Sequence, residues 1–187
     1  MKNLLLIILI PFLGFAQENT FILDSNFEQF LIDWGYDDAL DNYVLTENID
    51  TVTMLELAGH EISDLTGIED FSSLTHLYCY SNNLTELNIS DNLLLKHLYC
   101  GNNNLSELDV SNNTNLTYLS CDNNNLSSLN VSNNVNLEFL NCFNNSLSEL
   151  NLENNAQLTE LYCYSNNLSE LDVSNNAELH NIHCSSN

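Results

Sequence analysis

The chain has 187 residues, the usual size of one domain, and carries 26 acids against two bases for a formal net charge of −24. An acid excess of this size repels phosphate backbones and anionic lipid, which disfavours nucleic acid and anionic membrane surfaces as partners. It leaves cations and basic surfaces as the partners that its field attracts.

Residues 1–16 come first. Lys2 precedes the apolar run at residues 4–15, and Gly14-Phe15-Ala16 places small residues at a cleavage-site spacing. These are the parts of a secretory signal peptide cut after Ala16, and they predict a secreted or cell-surface protein. The run is too short to span a bilayer, and no later stretch is apolar enough. No cysteine lies near the cut, which argues against a lipid anchor. The mature chain keeps one base, Lys96.

Residues 17–51 predict an N-terminal helical cap. Ser25 with Glu28 has the spacing of a capping box. Phe27, Phe30, Leu31 and Trp34 come next at helical spacing as a core stripe, and Gly35 ends the helix. The cap is expected to cover the open end of the periodic region at residues 52–187. Asp37, Asp38 and Asp41 lack the glycine and the twelfth-position acid of a helix–loop–helix calcium site.

Residues 52–187 are periodic. The six cysteines, Cys79, Cys100, Cys121, Cys142, Cys163 and Cys184, stand 21 residues apart without exception. Units begin at Leu74, Leu95, Leu116, Leu137, Leu158 and Leu179 with the consensus L-x-x-L-x-C-x-x-N-x-L-x-x-L-x-V-S-x-N-x-x. Alternation at Leu77-Tyr78-Cys79 is strand periodicity, with Leu77 and Cys79 inward and Tyr78 outward. Leu87-Asn88-Ile89 predicts a second, shorter extended segment, and the Asn/Ser stretches between are turns. One such coil cannot bury its own apolar side, so coils stack about 4.8 Å apart, right-handed, into leucine ladders. Asn82, Asn103, Asn124, Asn145, Asn166 and Asn187 share one position and predict an asparagine ladder bonding the inward turn. Asn92, Asn113, Asn134, Asn155 and Asn176 form a second register at the other bend.

These residues resemble a leucine-rich repeat protein from Leu74 to Asn187. The 21-residue form with L-[DN]-V-S-x-N is similar to repeats in secreted proteins of Gram-negative bacteria. Residues 52–73 resemble the 22-residue internalin-type repeat, with Leu55, Leu57, Ile62, Leu65 and Ile68 as core positions. The fold expected is mostly β: a right-handed leucine-rich repeat solenoid with a parallel sheet on one face and a short helical cap. The last unit is incomplete. Relatives in such a family often carry more repeats and a C-terminal sorting domain. Neither is visible here, which suggests a fragment, and the exposed C-terminal edge strand offers a place for self-association.

Leu57 stands where cysteine stands later, so cysteine is read as a small buried hydrophobe. Stacked neighbours would hold their Cβ atoms about 4.8 Å apart, too far for an unstrained disulfide. A linear ladder converges on no tetrahedral metal. No metal or other cofactor is expected.

Register also gives the outward positions. They include His76, Tyr78, Tyr80, His97, Tyr99, Tyr118, Phe139, Phe143, Tyr162 and Tyr164. Aromatics that the core does not need mark a contact surface for a protein, and a flat row also suits sugar rings. Cross-strand stacking alone is the plainer account. Histidines 76 and 97 give only two metal ligands. Serine is plentiful but sits at turn positions, with no unique His and Asp beside it, so an enzyme is not expected. The function expected is a secreted or surface binding or adhesion module for a protein or glycan. The alternatives are an acidic structural spacer and weak divalent-cation binding by stacked acids such as Glu86 with Glu107.

Overall fold

The computed structural model describes residues 18–187. The signal-peptide expectation for residues 1–16 lies outside them. The cap begins with β1 (Asn19–Phe21) and α1 (Ser25–Asp33), and continues with β2 (Tyr43–Leu45) and the short α2 (Thr46–Ile49). β1 and β2 pair antiparallel, Thr20 opposite Val44. Seven three-residue strands come after the cap: β3 (Met54–Glu56), β4 (His76–Tyr78), β5 (His97–Tyr99), β6 (Tyr118–Ser120), β7 (Phe139–Asn141), β8 (Glu160–Tyr162) and β9 (Asn181–His183). They form one parallel sheet in sequence order. The register is in step throughout: Leu55 opposite Leu77, Leu77 opposite Leu98, Leu98 opposite Leu119.

The coil shape follows from what each position must bury. In the first regular coil Leu74, Leu77, Cys79, Leu84 and Ile89 are at most 1% exposed, and their equivalents repeat this as far as Cys163, after which burial declines through Leu168 to the exposed Ile182 and Cys184. Each buried leucine contributes roughly 1.5–3 kcal/mol. The turn that leaves each strand needs one left-handed residue. Ser81, Asn102, Asn123, Asn144, Ser165 and Ser186 supply it with φ between 51° and 60°. Asparagine tolerates that region, and short polar side chains can bond locally there. Leu87-Asn88-Ile89 forms no strand. Ile89 is buried but Leu87 only half so, and the back of the coil closes by turns instead of a second ladder. The helical piece in the first repeat is a 3-10 turn, Ile68–Asp70.

The cap departs from the sequence expectation in two ways. The N-cap of α1 is Asp24, one residue before Ser25: its Oδ1 accepts from the Asn26 and Phe27 amides at 2.8 and 3.1 Å. Its Oδ2 accepts from the Ser63 amide and hydroxyl at 2.8 and 2.6 Å, tying the cap to the first repeat. Burial alone would push this carboxyl up, but these bonds together hold it below the usual range. Glu28, 2% exposed, therefore faces elsewhere and receives the amides of Asp41 and Asn42. The second departure is Trp34. Phe27, Phe30 and Leu31 are buried, and Phe27 stacks on Phe71 at 6.1 Å, closing the first coil. Trp34 is the C-cap residue and is 60% exposed. Gly35 is next at φ 78°, the left-handed step that ends the helix.

Candidate functional site

The site is built on ladders that fix its floor. Asn103 shows the pattern of the first register. Its Nδ2 donates to the carbonyls of Cys79 at 2.9 Å and Cys100 at 3.1 Å, and its Oδ1 accepts the Leu84 amide at 3.0 Å. Asn82, Asn124, Asn145, Asn166 and Asn187 make the equivalent bonds. In the first repeat Asn82 Oδ1 also accepts the His60 amide at 3.1 Å. The second register differs. Asn134 Nδ2 donates to Val110 and Asn113 carbonyls at 3.0 and 2.9 Å, while its Oδ1 is buried without a partner.

Cys79, Cys100, Cys121, Cys142 and Cys163 are buried free thiols, and Cys184 on the last coil is an exposed one. Burial pushes the Cys79 and Cys121 thiols up to about 12. They are protonated and unreactive at neutral pH. Cys184 differs because no described coil packs over its own, and Ile182 beside it is 42% exposed.

The outward residues fall in three columns across the strands. The first runs Met54, His76, His97, Tyr118, Phe139, Glu160, Asn181, and the second Glu56, Tyr78, Tyr99, Ser120, Asn141, Tyr162, His183. The third continues just past each strand with Tyr80, Gly101, Asp122, Phe143, Tyr164 and Ser185. The rings join into one row that changes column. Tyr78 stacks on Tyr99 at 4.6 Å, Tyr99 on Tyr118 at 4.4 Å and Tyr118 on Phe139 at 4.0 Å. Phe139 meets Tyr162 at 5.6 Å, and Tyr162 meets His183 at 4.9 Å. His76 and His97 lie alongside at 4.5 Å, and Phe143 stacks on Tyr164 at 4.5 Å. Tyr80, 43% exposed, stands outside the row.

The crossing is made by small residues. Ser120 and Asn141 leave the second column open at two coils, and Tyr118 and Phe139 carry the row past the gap. Beneath it Asp122 accepts from Ser120 Oγ at 2.7 Å, Asn141 Nδ2 at 3.0 Å and Asn123 Nδ2 at 2.7 Å. Ser120 and Asp122 are each 8% exposed. Gly101 makes room: a Cβ there would lie 2.6 Å from Asp122 Oδ1.

Most ring faces in this row are covered by neighbouring rings, and all its residues but the exposed His183 are half-buried, so the row presents ring edges outward. The Tyr162 hydroxyl is tied down within the sheet, donating to Glu160 at 2.9 Å and accepting from Asn181 Nδ2 at 2.6 Å. Burial first, then Tyr99, pushes the Tyr118 phenol up. Burial, with His76 beside it, holds the His97 imidazole low. These two rings are therefore uncharged at neutral pH. Among the described residues no group of three or more His, Cys, Asp or Glu could hold a metal ion. No helix among them is long and apolar enough to cross a membrane. A broad depression of about 810 Å³ is lined by residues 148–153 and part of the next coil, including Glu170 and Asp172, away from this face.

Residues that the sequence stripe assigned to core also line a second hollow. Phe30, Trp34, Tyr36, Met54, Leu55 and Glu56 enclose about 260 Å³ where the cap meets the first strand. The signal available in sequence was that Trp34 falls at the end of its helix, just before the helix-ending Gly35.

No protein-family model matches the sequence. The solved functional domain of InlJ from Listeria monocytogenes, described as including a cysteine ladder, superposes with a TM-score of 0.79 at 35% identity. The match covers 91% of this chain and 44% of that one. The chain has the leucine-rich repeat solenoid fold, similar to that of the internalins. Among curated proteins, Internalin J of L. monocytogenes serotype 4b is 44% identical over 46 residues, which is 25% of this chain and 5% of that protein. The internalin InlF from L. monocytogenes shares the fold at 24% identity and TM-score 0.75, over 86% of this chain and 49% of its own. The repeat protein thus spans less than half the length of each of these relatives.

Proposed function

We propose that the repeat protein is a secreted or cell-surface binding module that docks a protein partner on the outward face of β3–β9. The observation that carries this is the continuous row of stacked rings, whose edges face outward over a floor bonded by two asparagine registers. Tyrosines held this way offer large contact area at little entropic cost, which suits the centre of a protein interface. Sugars take up aromatic faces, and here most faces are already covered, so the glycan alternative is weaker.

The test uses the wild-type protein, a face variant (Tyr80→Ser with Phe143→Ser) and a variant on the opposite side (Glu149→Gln with Glu170→Gln). Proteins retained from a surface-protein extract are compared. A partner should be held by the wild type and the second variant, and its affinity for the face variant should drop about tenfold or more. If the face variant, folded by circular dichroism, retains all that the wild type retains, the face is not the docking surface. The acidic spacer then becomes the better account.

A further inference from the structure

We infer that the hollow between the cap and β3 is an anchor site for one cationic side chain, arginine or lysine, projected by a protein partner. Its identification as a protein's side chain rests on the proposed docking function. The hollow itself stands on separate observations.

Its size comes first. About 260 Å³ lies below the range of drug-sized ligand pockets but accommodates one long side chain. Its walls come next. Phe30 is 3% exposed and forms the base, stacked on Trp34 at 5.5 Å with 26° between the planes. That contact covers one face of the indole. Trp34 is 60% exposed, so indole surface beyond that contact remains open. Met54, 45% exposed, and Tyr36 complete an apolar collar. A tryptophan face is the aromatic surface that attracts a cation best.

The rim supplies the charge. Glu56 is exposed on β3 opposite Tyr78, and its carboxylate has no hydrogen-bond or ion-pair partner among the described residues. Lys96 is the one Lys or Arg of residues 18–187 and sits two strands away, next to β5. These residues thus offer an aromatic face and a carboxylate together and hold no Lys or Arg to fill them; His60, edge-on to Phe30 at 5.1 Å, and His76, opposite Met54, are the imidazoles close by. The net charge of −24 draws the same kind of occupant from a distance. An aliphatic side chain would satisfy the collar but leave Glu56 without a partner.

The hollow is also the end of the ring row. His76 and Tyr78 are its first rings, and their partners on β3 are Met54 and Glu56. A partner lying along the row would reach the hollow at this end without a gap.

Trp34 is the chain's one tryptophan and Met54 its one methionine besides Met1. Both report on the hollow directly. The full chain is titrated with N-acetyl-arginine amide and, separately, with the neutral N-acetyl-norleucine amide, following Trp34 fluorescence and the Met54 methyl resonance. Arginine should shift both signals along one saturating curve, norleucine should bind markedly more weakly, and Glu56→Gln should weaken arginine about fivefold. Equal binding of norleucine overturns the cationic assignment. No saturable shift, or a Trp34 change without Met54, overturns the site. The Tyr80→Ser/Phe143→Ser variant should give the wild-type titration. Failure of the docking face then leaves these curves unchanged, and failure of the hollow leaves partner capture by the face to be judged separately.

Discussion

Replacing Asn124 with alanine should destabilise the protein by about 1–3 kcal/mol more than replacing Asn134, although both are buried ladder asparagines. Asn124 Nδ2 donates to the carbonyls of Cys100, Cys121 and Asp122 at 3.0, 3.1 and 3.2 Å, and its Oδ1 accepts the Leu105 amide at 2.9 Å. The carbonyls have other donors: Asn103 at 3.1 Å, Asn145 at 3.1 Å and the Asn102 amide at 2.9 Å. The amide of Leu105, a residue with no exposure, is left without an acceptor. An orphaned buried donor costs about 1–3 kcal/mol. At Asn134 nothing is orphaned. Val110 and Asn113 carbonyls keep the Asn113 and Leu116 amides at 3.1 and 3.0 Å, and the Oδ1 that disappears had no partner. The vacated volume costs roughly the same at both places, so it cancels. Urea unfolding followed by far-ultraviolet circular dichroism measures the difference, provided both variants share one m value. If Asn134→Ala is equally or more destabilised, the assignment of the first register as the essential one is wrong. Asn124→Asp should be worse than alanine, because a carboxylate would face three carbonyl oxygens.

Gly101→Ala should cost about 1–3 kcal/mol, because the new Cβ lies 2.6 Å from Asp122 Oδ1 and must displace it from Ser120 and Asn141. In an Asp122→Ala background the same change should cost almost nothing, and simple additivity in that double-mutant cycle would count against the packing described. The thiols give an alkaline signature. Cys79 and Cys121 are held at about 12 when folded against 9.0 in an open chain. Below pH 9 both states keep the protons and stability is intact. Above it the unfolded chain loses protons that the folded one keeps, so stability falls by about 1.4 kcal/mol per pH unit per thiol until about pH 12. Urea midpoints should therefore fall more steeply with pH in the wild type than in Cys79→Ala/Cys121→Ala, and parallel curves would refute the burial assigned. In the native protein one thiol, Cys184, should react promptly with a thiol reagent, and all six after unfolding without reductant. Fewer than six would mean disulfides.

The stacked fold was legible in sequence because its inward positions repeat apolar residues at a fixed period: Leu77, Leu98 and Leu119 continue one ladder that runs on through Leu140, Leu161 and Ile182. The cap was legible only in outline. Asp24 and Ser25 are adjacent and both can cap. The choice fell to Asp24 because its second oxygen reaches Ser63, a contact 39 residues away that no local pattern contains. Trp34 keeps the helical spacing of Phe30, but spacing assigns a face and not a cover, and no described residue covers it fully. The row of rings was legible column by column but not as a row. Register treats the three columns as independent, whereas Tyr118 and Phe139 cross into the space left by Ser120 and Asn141. That crossing bears on what the aromatics do. Faces that stack across strands stabilise the sheet, and the edges of the same rings remain available outside, so stabilisation and docking are not competing accounts of one residue. Removing Tyr99 or Tyr118 would disturb both at once. Tyr80 is exposed and outside the row, so under the proposed docking function its substitution, which leaves the stack intact, is the cleaner measure of what the face binds.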